Sequence, residues 1–97
     1  MSKPPTLVVN VRVQDYDVFI ARPSIWGNPY SNLANTRAQF RVATREQAVE
    51  KYRAWIQTQP QLLARLHELR GKRLGCFCAE GKPCHGHVLA ELADALP

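Results

Sequence analysis

Leu74 to Leu96 reads LGCFCAEGKPCHGHVLAELADAL, and the fold class turns on it. Leu74 to Cys78 is a short apolar run, as expected of a buried strand. From about His85 the spacing changes, and Val88, Leu89, Leu92 and Leu96 fall on one face of a helix. A strand running into a helix through a thiol-rich turn is the unit from which α/β sheets are built.

Upstream, Pro60 is placed to open a helix that turns Leu62, Leu63, Leu66 and Leu69 inward and stops at Gly71. Before it, Thr44 and Gln47 form a capping box, followed by Ala48, Val49, Tyr52, Trp55 and Ile56 at helical spacing. Near the start, Leu7, Val9, Val11 and Val13 alternate with Val8, Asn10 and Arg12, which predicts a half-buried strand over 7–13. Asp17 to Ile20 is a second short strand candidate, and Met1 to Thr6 reads as a disordered lead-in to one domain over 7–97. The order predicts a small, open, mainly parallel sheet of three or four strands with about three helices, Rossmann-like, the first and third strands paired in parallel. In such sheets ligands sit beyond the carboxyl ends of the strands.

Ninety-seven residues suffice for one self-supporting domain, and 45% hydrophobic with 22% charged residues is globular usage. No apolar run approaches a membrane span and no secretory signal opens the chain, so a cytoplasmic protein without membrane partners is expected. The three cysteines, clustered between Cys76 and Cys84, do not resemble a secreted disulfide framework. Thirteen Lys and Arg against eight Asp and Glu give a net charge of +5, which favours phosphates, nucleic acid or an acidic partner protein. The charge is spread along the chain rather than gathered in a basic tract.

Three readings stand for the cysteine segment. Cys84 falls at or near a helix N-cap, where unpaired backbone N–H groups favour a thiolate nucleophile with His85 as acid/base, or bind an anion directly. Alternatively, Cys76, Cys78, Cys84 and either His85 or His87 close a tetrahedral zinc site. Thirdly, buried cysteine is an ordinary core residue, which suits Cys76 beside Leu74 and Phe77. His67 reads as a surface residue.

Arg22 to Tyr30, RPSIWGNPY, is rich in recognition chemistry. Arg22 offers a forked donor, Trp26 a stacking ring, Gly27 close backbone approach, and Ser24 and Asn28 hydrogen bonds, while Pro23 and Pro29 stiffen the loop. Trp26 and Tyr30 are equally suited to covering the core.

Together VVNVR at Val8 to Arg12, RPSIWGNPY, ATREQAV at Ala43 to Val49, LGCFC at Leu74 to Cys78 and PCHGHVL at Pro83 to Leu89 resemble domain of unknown function 4326, a family of small bacterial and phage proteins. The resemblance implies functional positions at Asn10, Arg12, Arg22, Pro23, Trp26, Gly27, Asn28, Pro29, Cys78, Cys84 and His85. The function expected is a pocket for a nucleotide-like or phosphate-bearing ligand, without a cofactor. Its ligand-binding residues would be Asn10, Arg12, Arg22, Ser24, Trp26, Gly27, Asn28 and Cys78, with Cys84 and His85 as the reacting pair. The rival is a zinc-stabilised module that binds nucleic acid or an acidic host protein.

Overall fold

The computed structural model describes residues 5–22, 24–31, 40–77 and 82–96. Strands β1 (Leu7–Asn10), β2 (Val18–Phe19), β3 (Tyr30–Ser31) and β4 (Phe40–Arg41) precede helix α1 (Arg45–Ile56). Helix α2 (Pro60–Leu63), a 3₁₀ turn (Leu66–Glu68), strand β5 (Arg73–Cys76) and helix α3 (His85–Asp94) complete the order. β5 is the centre of a three-stranded sheet, flanked by β1 and β2, and both neighbours run parallel to it. β3 and β4 form a separate parallel pair. The architecture is therefore mixed α/β with parallel sheets, as the sequence predicts.

Placing β1 and β2 on opposite sides of β5 forces Val11 to Tyr16 to cross the sheet. Gly75 makes that possible: a Cβ there would lie 2.6 Å from Val11 Cγ1 and 2.7 Å from Tyr16 Cγ. Side chains alternate along a strand, so Leu74 and Cys76 face the other way, into a core with Ile20, Tyr52, Val88 and Leu89. The helices cover that second face, where Gly86 comes within reach of Val8 and Ile20.

Three expectations need correction. The first strand stops at Asn10 rather than Val13, because Asn10 turns the chain: its side-chain oxygen accepts from Arg12 N–H at 2.9 Å and its carbonyl from Gln14 N–H at 2.9 Å. The predicted second helix is one turn of α followed by 3₁₀ geometry, whose period of three keeps Leu66 and Leu69 both buried. Thr6, read as lead-in, is buried, with Oγ1 donating to Asp94 at 2.6 Å and accepting from Gly71 N–H at 2.9 Å. Gly71 has φ 76° and ends the 3₁₀ segment as expected.

At α1, Thr44 caps Gln47 N–H at 3.1 Å, while the Gln47 side chain accepts from Ala43 N–H at 3.0 Å. Ala48, Tyr52 and Ile56 are its buried face. Among the described residues no helix is long and apolar enough to cross a membrane.

Candidate functional site

Because all three strands of the main sheet are parallel, their carboxyl ends share one edge. There the chain leaves β2 through Ala21 and Arg22, leaves β5 through Phe77, and enters α3 through Cys84 and His85. These residues, with Asn28, Tyr30, Ser31, Arg45, Ala48, Val49, Cys76 and Pro83, line a cleft of about 230 Å³. The loop and the cysteine turn thus face a common hollow.

Cys84 is the N-cap of α3, and its Sγ accepts from Gly86 N–H at 3.4 Å. Such a bond favours the thiolate, as does the helix terminus. His85 is buried, with Nε2 2.8 Å from the Ile20 carbonyl oxygen. A carbonyl only accepts, so Nε2 carries the proton and the lone pair sits on Nδ1, which lies 4.0 Å from Cys84 Sγ. Burial pushes the imidazole pKa below its ordinary value, and Arg22 adds to that; the Ile20 bond and the Cys76 sulfur oppose it. Tyr52 packs edge-on against the ring at 4.9 Å and donates to the Trp26 carbonyl at 2.8 Å. Burial, and secondarily the charge on Cys84, drive the Tyr52 pKa far upward, so its hydroxyl stays protonated.

Cys76 is fully buried, its thiol directed at Val9 carbonyl oxygen at 3.8 Å, with its Sγ 3.1 Å from Cys84 Sγ. It is a core residue, as expected, and also a wall of the cleft. For the zinc reading, two thiolates on a tetrahedral zinc would sit roughly 3.8 Å apart, wider than this pair. Among the described residues no group of three or more candidate ligands gathers around a point. Cys78 and Pro23 lie outside the described residues.

In the loop, Arg22 Nη1 donates to the Asn28 carbonyl at 2.6 Å, which fixes the guanidinium at the cleft wall. Asn28 is buried and ties the loop to α1, donating to Ala48 carbonyl at 3.0 Å and accepting from Tyr30 N–H at 2.9 Å. Gly27 admits close approach, but to Arg22 rather than to a ligand: a Cβ would lie 2.9 Å from Arg22 Cγ. Ser24 closes the turn through its backbone, and its buried Oγ has no hydrogen-bond partner among the described residues.

Trp26 is placed differently from the leading expectation. It is 3% exposed and packs in the core, so its ring is no stacking surface. The rings at the cleft are Tyr30, stacked on Phe40 at 5.2 Å, and the half-exposed Phe77. Asn10 and Arg12 do not line the hollow. Asn10 builds its turn, and Arg12 lies over the Phe77 ring at 5.2 Å.

Arg45 escaped the sequence reading, which took its segment only as a helix cap. One signal was present: a cation at the first position of a helix opposes the macrodipole, so a basic residue there asks for another reason.

Residues 8–95 match the family described as Domain of unknown function (DUF4326). The chain belongs to this family. It is also similar to an uncharacterized 12.4 kDa protein in the nrdA-td intergenic region of Enterobacteria phage T4, 35% identical over 89 residues, which cover 92% of this chain and 78% of the phage protein. No solved structure matches. The DUF4326 match spans every strand and helix of the cleft, from Val8 in β1 through Asp94 at the end of α3.

Proposed function

We propose that the cleft binds a small, nucleotide-like or other phosphate-bearing ligand in the cytoplasm. The observation that carries this reading is the convergence, on one hollow, of two guanidinium groups and a helix start. Arg22 and Arg45 line the cleft and carry guanidinium groups, and α3 starts at its wall with Cys84 and His85, where the positive end of the helix dipole favours an anion such as phosphate. The ring of the ligand would lie on Tyr30 or Phe77, not on Trp26. A cleft of about 230 Å³ is small for a ligand site, so it suits a phosphate with its sugar, the base resting across the open mouth.

Turnover on a ligand with an electrophilic carbon would begin at Cys84. Its proton would pass to His85 Nδ1, which the buried, neutral ring keeps available, and the thiolate would attack. The test is calorimetry with a panel of nucleotides and sugar phosphates on the wild type and Arg22→Ala. Heat with at least one ligand, weakened about tenfold or more by the substitution, is expected from losing a charge-assisted contact. No heat with any ligand, and no change in melting, removes the proposal.

A second reading rests on the outer rim. Arg12 over Phe77, Phe77 against Phe19 at 5.7 Å, and Phe19 near Tyr16 at 6.1 Å make an aromatic strip beside a cation. Such a strip suits stacked bases of single-stranded nucleic acid. Oligonucleotide anisotropy that depends on Phe77 and salt, in the absence of nucleotide binding, would favour it.

A further inference from the structure

Cys76 and Cys84 come from different elements, the end of β5 and the cap of α3, yet their sulfurs lie 3.1 Å apart at the wall of the cleft. A disulfide needs the sulfurs to close to about 2 Å, so a shift of roughly one ångström separates the pair from a bond. Their surroundings differ in a way that assigns an order of attack. Cys84 accepts a backbone N–H at the start of α3 and has the His85 Nδ1 lone pair beside it, whereas the Cys76 thiol points to a carbonyl oxygen, which holds its proton.

We propose that Cys84 and Cys76 are the attacking and resolving thiols of a redox-active pair whose substrate is a low-molecular-weight disulfide. In the first step the Cys84 thiolate attacks one sulfur of the substrate R–S–S–R. A Cys84–S–S–R mixed disulfide forms, and RS⁻ leaves with the electron pair of the broken bond. In the second, Cys76 attacks Cys84 Sγ and a second thiol is expelled, taking the proton that Cys76 gives up. The protein pair is oxidised to a disulfide and the substrate reduced to two thiols, so no other reactant is needed. Cys76 and Cys84 both line the cleft but are only 1% and 2% exposed, which restricts the substrate to a small molecule, and Arg22 and Arg45 at the cleft wall favour one that carries carboxylates. This activity uses no phosphate ligand and stands or falls independently of the binding reading.

The experiment incubates the full chain with oxidised glutathione, quenches with an alkylating agent and maps the peptides. The wild type is expected to lose two hydrogens, with a Cys76–Cys84 bond that excess reduced glutathione reopens. Cys76→Ser is expected to halt at a mixed disulfide on Cys84, and Cys84→Ser to lose glutathione consumption altogether. Because the wild-type map needs no variant, a misfolded variant leaves the proposal testable. Wild-type protein that stays fully alkylatable, that retains glutathione on Cys84, or that links Cys78 instead of joining these two would overturn it.

Discussion

The His85 ring donates from Nε2 to the carbonyl oxygen of Ile20 across 2.8 Å, which joins the helix start after β5 to the chain leaving β2. The contact depends on Gly86, since a Cβ there would lie 2.8 Å from Ile20 Cδ1 and 3.0 Å from Val8 Cγ1. One bond thus sets the tautomer, aims Nδ1 at Cys84, and closes one wall of the cleft.

Acid should destabilise the protein in a window that belongs to His85. Burial holds its folded-state pKa below the ordinary 6.5, so the native state prefers the neutral ring. The unfolded chain takes up the proton first as pH falls, hence this contribution is intact above 6.5 and declines below it. Asp17, held at about 2 by its hydrogen bonds with Arg73, begins to lose its contribution only below 3.8, so it takes no part in the decline that starts at 6.5. Urea midpoints should fall between neutral pH and about pH 5 in the wild type and stay level in His85→Gln. A level wild-type profile would mean that the imidazole is hydrated.

Gly75→Ala should test the crossover. A methyl group there meets Val11 and Tyr16 at distances under 3 Å, two of the three atoms being close to the backbone of the crossing segment. Overpacking of this kind costs about 1–3 kcal/mol, against roughly 0.5–1 kcal/mol gained by removing a strand glycine. A net loss of about 1–2 kcal/mol in denaturant unfolding is expected. Unchanged stability would mean the segment does not lie over β5.

The strength of local patterns explains what was legible. Leu74 to Cys76 and the Val88, Leu89 face carry helix and strand periods that tertiary packing reinforces, and Thr44 carries a cap that acts within four residues. Strand order was not written locally: Gly75 looks like any glycine until Val11 and Tyr16 are known to pass over it. The cleft was legible through its charged and sulfur residues, Arg22, Cys84 and His85. Trp26 was not, because a large amphipathic ring suits core and site alike, and only the Tyr52 bond to its carbonyl and the surrounding aliphatics settle its place.

Asn28→Ala should cost more than its small size suggests. Its side chain is buried and spends both ends, on the Ala48 carbonyl and the Tyr30 N–H. Removing two such bonds and leaving the Tyr30 donor without that partner predicts a loss of about 2 kcal/mol in chemical unfolding. Since the same residue's carbonyl receives Arg22, any ligand of the cleft should weaken as well. A loss of stability below about 0.5 kcal/mol would show that the loop is held by other contacts.

Arg45 offers the cleanest separation of binding from folding. At the first position of α1 its charge faces the positive end of the helix dipole, an arrangement that costs about 0.3–1 kcal/mol. Arg45→Ala removes that penalty and installs the best helix former, so stability should rise by about 0.5 kcal/mol. The same change takes one of two guanidinium groups from the cleft wall, and a charge-assisted contact worth about 1.5–3 kcal/mol corresponds to an affinity loss of roughly ten- to a hundredfold. Unfolding by urea and calorimetry with the nucleotide or sugar phosphate that binds best should therefore move in opposite directions. If stability falls with affinity, Arg45 holds the helix rather than the ligand; if affinity is untouched, the phosphate lies with Arg22 and the α3 terminus alone.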